Sequence, residues 1–213
     1  MRIDSTITFL LNGSHSLYVD GVAWFATQTL SWIPLLLALL YVLFRAHSLK
    51  QFIYLLLVLT LCVLIVDQVS SSLFKPMVER YRPSQNPYVM HLVDIVNGYR
   101  GGSYGFFSSH AANTAAVSTF SALLLRHRYV TWSLGGWTVI NCWTRLYLGV
   151  HYVGDILMGL FMGGMVATVL YFLYLYICPE QKGRSYSPLL LKIIPTGLAL
   201  SLCSSTIPWK HFF

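Results

Sequence analysis

The chain is short of charge. Only 10% of its 213 residues are Asp, Glu, Lys or Arg, against roughly 25% in an ordinary soluble domain. Acidic residues are scarcest, 7 against 14 basic ones, so the net charge is +7. Cysteine is sparse too. Cys62, Cys142, Cys178 and Cys203 show no C-x-x-C spacing and lie in or beside apolar runs, which excludes a disulfide framework or a zinc motif and reads as small packing residues. No repeat, low-complexity tract or flexible interdomain linker divides the chain. The first residues, MRIDSTITFLLNGSHS, lack the basic start, long apolar centre and small-residue cleavage site of a secretory leader. The basic residues are scattered among apolar segments with no basic helix or aromatic RNA motif, so nucleic acid is excluded as a partner.

What replaces charge is grease. Hydrophobic residues make up 56% of the chain and aromatics 15%, with a mean hydropathy of +0.62. Residues 22–44 carry no charge, and 52–74 carry only Asp67. Further apolar runs occupy 111–125, 129–144, 156–179 and 193–209. A spanning helix needs about 20 apolar residues. The pattern predicts an all-α polytopic membrane bundle of six transmembrane helices, near 22–44, 52–74, 109–126, 129–147, 153–177 and 188–207. Lys192 and Pro195 interrupt the sixth. Ile3, Ile7, Leu10 and Leu11 recur at helical spacing ahead of Asn12-Gly13, which predicts a short amphipathic helix in the membrane interface. The length fits a single domain, 1–213.

Arg45 and Lys50, Arg126 and Arg128, and Lys182 and Arg184 fall in the gaps after the first, third and fifth helices. All three gaps lie on one side, and short basic loops face the cytoplasm. The long connection, 75–107, is rich in Pro, Gly, Asn and Tyr, and then lies outside with the junction between helices four and five. Connections of that length are usually functional or disordered. Arg2, Arg80, Arg100 and Lys210 also fall on that side.

Three polar clusters share that outer depth: Lys75 to Arg82-Pro83, Phe107-Ser108-Ser109-His110, and residues 145–155, RLYLGVHYVGD, opened by Thr144. Together they offer three cations, two imidazoles, hydroxyls and a carboxylate, a set suited to a phosphoryl group. With a helix starting after Val150, His151 and Asp155 share one face, so the carboxylate can fix the tautomer and leave the other ring nitrogen nucleophilic. Gly149 permits the turn after Arg145. Ser108–His110 open a helix, where free amides favour an anion. Taken singly, each cluster has a plainer reading. Lys75 and Arg82 could snorkel, Ser108-Ser109 could be a cap, and His151 and Asp155 a structural pair. Asp67 reads as a polar contact inside the bundle, and His15, His47, His91, His127 and His211 as interfacial or loop residues.

The joint pattern K-x6-R-P, Ser-x-His, R-x5-H-x3-D resembles the type-2 phosphatidic-acid phosphatase superfamily, the lipid phosphate phosphatases, over residues 75–155. It is most similar to small bacterial envelope members that act on lipid-linked phosphates. The resemblance implies that His151 attacks phosphorus to form a phosphohistidine, that Asp155 orients it, and that His110 protonates the leaving group and then activates water. Lys75, Arg82, Ser108, Ser109 and Arg145 would hold the phosphoryl oxygens, with no metal and no cofactor. It implies a multi-pass protein of the bacterial inner membrane whose site faces the periplasm. The substrate is a lipid phosphate, either lipid A phosphate or undecaprenyl diphosphate, with phosphatidylglycerophosphate behind them. Arg80 and Arg100 could read a second head-group charge, unless Glu79 and Asp94 neutralise them. Three departures stand out. Phe107 replaces the family's Pro and loosens the lead-in to the turn, Ser109 replaces its Gly and requires a negative φ, and Thr144 replaces its Ser. Two readings of other classes are a proton-coupled transporter of an anionic substrate and a non-catalytic binding protein. A soluble vanadium haloperoxidase, which has a similar constellation, conflicts with the membrane runs.

Overall fold

The computed structural model describes residues 2–14 and 16–205. The expectations for His15, Lys210, His211, the Arg2 side chain and the last two residues of the sixth helix lie outside the described residues. Among those described there are helices, turns and one isolated antiparallel bridge, Tyr81 with Tyr104. The α-helices are α1 (Arg2–Leu10), α2 (Leu17–Ala26), α3 (Ile33–Ala46), α4 (Leu49–Gln68), α5 (Lys75–Val78), α6 (Ser109–Leu125), α7 (Arg128–Tyr147), α8 (Val153–Ile177), α9 (Pro188–Leu191) and α10 (Ile193–Ser205). Three stretches, Thr29–Ala46, Leu49–Val78 and Val153–Ile177, are long and apolar enough to cross a bilayer. The chain is a multi-pass membrane protein.

The expected first helix is in fact broken. Gln28 is extended (φ −80, ψ 135), and a 3-10 turn, Thr29–Trp32, restarts the helix. The carbonyls released by the break are satisfied by side chains: Ser31 Oγ donates to Phe25 O at 2.7 Å and Trp32 Nε1 to Ala26 O at 2.8 Å. The second helix starts earlier than expected because Ser48 and Gln51 form a capping box. It ends in a π-helical turn, Val69–Phe74, that runs straight into α5.

α6 lies at the centre, packed on α8, α7 and α4. In lipid, apolar side chains give little drive for helix association, so close backbone approach matters more. Gly159 and Gly163 of α8 provide it. A Cβ at Gly159 would lie 2.6 Å from Ser108 O, and one at Gly163 would lie 2.2 Å from Ala112 O. Ser118 and Thr138 join α6 to α7 by a buried hydrogen bond of 2.8 Å.

The basic gaps meet at one end, as expected: Arg184 donates to Ala46 O, Gln51 to Glu180 at 3.3 Å, and Arg126 to Tyr171 Oη at 2.8 Å. The long connection caps the other end. Arg82 N donates to Ser103 O, Gly105 N to Arg80 O and Ser84 N to Gly149 O, pinning the loop over the start of α8. The turn anticipated at Gly149 is present and is left-handed, with φ +64. α1 sits at this end against α8, with Ile3 and Leu10 78% and 79% exposed.

Candidate active site

The three clusters converge. A cavity of about 230 Å³ is lined by Asp67, Ser71, Lys75, Arg82, Ser109, His110, Asn113, Arg145 and His151. Each predicted charged group except Asp155 reaches its wall. Asp155 lies directly behind, fully buried, with Oδ2 3.5 Å from His151 Nδ1.

His151 precedes α8 rather than opening it, since Tyr152 is the N-cap. Its Nε2 lies 3.1 Å from Arg82 Nη1. A guanidinium only donates, so Nε2 is the acceptor and the ring proton sits on Nδ1, toward Asp155. The hydrogen bond expected from the imidazole to Asp155 is not formed: Nδ1 has no hydrogen-bond partner, and the carboxylate stands 3.5 Å off. Burial, reinforced by Arg82, Arg145, His110 and Lys75, holds the imidazole well below its ordinary pKa, so it is neutral at pH 7.

The cations come from separate elements. Arg82 donates to Tyr104 O at 3.2 Å and Val150 O at 3.1 Å. Burial and then the charge of Arg145 lower its pKa to about 10, which leaves it protonated at neutral pH. Arg145, 2% exposed, donates to Thr27 Oγ1 at 2.6 Å and Tyr99 Oη at 3.1 Å, while its Nε has no partner. The break in the first helix is what brings Thr27 here. Lys75 Nζ donates to Ser109 Oγ at 2.9 Å, Ser109 to Ser70 at 2.9 Å, and Ser70 to Phe107 O at 2.8 Å. The π turn supplies Ser70 and Ser71, and such turns often mark functional positions. His110 is open to the cavity at the first turn of α6.

Several expectations change. Ser108 is fully buried and off the cavity wall; its hydroxyl caps Ala111 N at 3.4 Å and its amide donates to Asp155 O at 3.0 Å. Phe107 does not loosen the turn. Its ring is fully buried, 5.2 Å from Phe74 centroid to centroid. Ser109 starts the helix without a positive φ, as required. Arg80 is engaged by Asp155 and Asp4 rather than by Glu79 or Asp94, and Arg100 donates to Ser84 O. Asp67 faces the cavity rather than serving only as a contact in the bundle. Asn113, outside the motif pattern, also lines the cavity, and its place one turn below His110 puts both on one face of α6. Its buried Oδ1 has no hydrogen-bond partner. Nothing in the sequence pattern marks Thr27 or Tyr99.

The PAP2 superfamily model matches residues 51–179, which contain every motif residue. A lipid A 4'-phosphatase of Porphyromonas gingivalis is 34% identical over 87% of this chain and 78% of its own. One of Bacteroides thetaiotaomicron is 36% identical over 80% of this chain and 76% of its own. Among solved structures, the transmembrane PAP2-type phosphatidylglycerolphosphate phosphatase of Bacillus subtilis shares the fold, with a TM-score of 0.58 and 23% identity over 87% of this chain and 88% of that one.

Proposed function

The chain belongs to the PAP2 superfamily, and from that premise we propose that it removes a phosphate monoester from lipid A. The carrying observation is the cavity in which a neutral His151 faces Lys75, Arg82 and Arg145 with His110 beside them. The substrate follows from the two lipid A 4'-phosphatase relatives, which favour that lipid over undecaprenyl diphosphate or phosphatidylglycerophosphate.

In this reading a phosphoryl oxygen draws Arg82 Nη1 away from His151 Nε2, which frees the lone pair. Entry of the anionic phosphate among the cations lets His110 take up a proton from solvent; Nε2 then attacks phosphorus, the P–O bond to the sugar breaks, and His110 gives that proton to the leaving alkoxide. Asp155 draws close to Nδ1–H and stabilises the charge on the phosphohistidine. His110, now neutral, takes a proton from water as that water attacks phosphorus, and phosphate leaves. Lys75, Arg82, Arg145 and the amides opening α6 balance the equatorial charge, which is the main demand of phosphoryl transfer. Three cations meet that demand without a metal. Ser109 contributes through Lys75, and Ser108 by fixing the turn.

The same reading takes residues 1–213 as one domain with six spans, built on α2–α3, α4–α5, α6, α7, α8 and α9–α10. It places the basic gaps in the cytoplasm and the cavity at the periplasmic face of the inner membrane. The test is phosphate release by the purified protein from lipid A, undecaprenyl diphosphate and phosphatidylglycerophosphate, with and without chelator. Lipid A turned over fastest and undiminished by EDTA is the expected result. His151→Ala should abolish it, by roughly 10⁴-fold or more; full turnover in that variant ends the mechanism.

A further inference from the structure

The cavity accounts for one side of the His151–Asp155 pair. On the other side, Asp155 Oδ1 accepts from Arg80 Nη1 at 2.8 Å, and Arg80 Nη2 pairs with Asp4 on α1. The other oxygen of Asp4 accepts from Gly154 N at 2.9 Å. One turn further along α1, Thr8 Oγ1 accepts from Val153 N at 3.2 Å. Tyr152 N donates to Asp155 Oδ2 at 2.9 Å. The three successive amides that open α8 are therefore all satisfied, two of them by a helix some 150 residues away. The fit is close. A Cβ at Gly154 would lie 3.1 Å from Asp4, and the Arg80 guanidinium lies 4.2 Å from the Tyr152 ring centroid.

A helix of nine residues does not hold itself together in water. α1 has two faces to be held by. Asp4 and Thr8 grip α8, while Ile3, Ile7 and Leu10 point away from the protein. The lipid surface is the occupant that fits that apolar face, because α1 lies at the loop end of a membrane bundle and carries its exposed apolar side chains at helical spacing. Arg80 lines the cavity beside α1, but its charge is already shared between two carboxylates.

We propose that α1 is a membrane-seated brace for the reaction: with Ile3, Ile7 and Leu10 in the lipid surface, Asp4 and Arg80 act as positioning residues that fix the Asp155 carboxylate and, through it, the His151 ring. This rests on His151 being the nucleophile. The test uses the full chain in phosphatidylethanolamine–phosphatidylglycerol vesicles and follows phosphate release from lipid A. Arg80→Gln lowers kcat ten- to a hundredfold, with KM within twofold. Asp4→Asn lowers it about tenfold, and the double variant is no slower than Arg80→Gln alone because both break one chain of contacts. Arg80→Lys, which reaches one carboxylate, falls between. Ile3→Ser with Leu10→Ser touches no polar contact of the brace and lowers kcat severalfold in vesicles.

Arg80→Gln within twofold of the unaltered kcat overturns the brace, as do fully additive losses for Asp4→Asn and Arg80→Gln. A loss that disappears at low temperature along with a lowered melting midpoint makes the contacts merely structural and equally overturns it. An unaffected Ile3→Ser, Leu10→Ser variant overturns the membrane seating. His151→Ala is measured alongside: if it is inactive while Arg80→Gln is fully active, the brace alone fails, whereas an active His151→Ala removes the nucleophile itself.

Discussion

The two ends of the bundle each hold arginines and treat them differently. At the basic-gap end, Arg184 donates to the Ala46 carbonyl and to the Gln51 and Gln181 amide oxygens, and Arg126 to the Tyr171 hydroxyl. These cations lie at the rim, where water shares the work. At the loop end, Arg82 and Arg145 are buried, yet their partners are also only carbonyls, hydroxyls and an imidazole. Of the carboxylates at that end, Asp4 and Asp155 go to Arg80 instead, Asp20 accepts from Tyr147, and Asp67 lines the cavity without an ion pair to either arginine. A buried charge without a counter-charge costs several kcal/mol. Rim arginines with neutral partners tie loops together, whereas the buried ones, in the proposed reading, hold positive charge in reserve for an anion.

The sharpest break of that comparison is Arg145→Ala. Removing a buried cation aimed at developing charge should lower kcat/KM by about 10²- to 10³-fold, read by phosphate release from lipid A. If Arg145 is only a structural tie to Thr27 and Tyr99, its loss will instead appear as a lowered melting midpoint with turnover preserved.

The next effect is one of pH. His151 is held neutral by burial and by the surrounding cations, so its folded pKa lies well below the roughly 6.5 of the unfolded chain. Below pH 6.5 the unfolded state therefore binds a proton that the folded state does not. The stability tied to this group is intact above that pH and is lost as pH falls toward the folded pKa. Melting midpoints between pH 7.5 and 5 should fall more steeply in the unaltered protein than in His151→Gln. Phosphate release should show no acid limb from His151 near pH 6.5.

Much of this site could be read from residue spacing, because the chemistry fixes which types must meet. Lys75, Arg82, His110, Arg145 and His151 stand 70 or more residues apart at the extremes and still share one cavity, and α8 runs Val153–Ile177 as its apolar run requires. The misses have a common cause. The break at Gln28 contains no Pro or Gly itself; Pro34 in the first turn of the restarted helix is its one sequence mark, and the Ser31 and Trp32 side chains replace the lost backbone bonds. The π turn before Lys75 has no periodic signature over six residues. The pairing of Asp4 with Arg80 leaves no mark in the sequence, because nothing in a linear pattern brings α1 to the start of α8. Contacts between distant elements through single side chains leave no period to find.

Ser109 and Arg184 measure the two ends at finer scale. Ser109 stands where the family has Gly, and its hydroxyl joins Lys75 to Ser70. Ser109→Gly leaves Lys75 in the cavity but removes one anchor. A hydrogen bond of this kind is worth about 0.5–1.5 kcal/mol net, so turnover should fall about two- to tenfold, and Ser109→Ala should match it. At the far end, Arg184→Ala removes ties to Ala46 and Gln51 that lie outside the cavity lining. Its cost should be about 1 kcal/mol of stability. Because these partners are neutral and partly wet, no charge is stranded when the guanidinium goes, and kcat and KM should both stay within twofold. A tenfold loss of kcat in Arg184→Ala would mean that the two ends are coupled through α8, and the division between tying arginines and charge-holding ones would have to be redrawn.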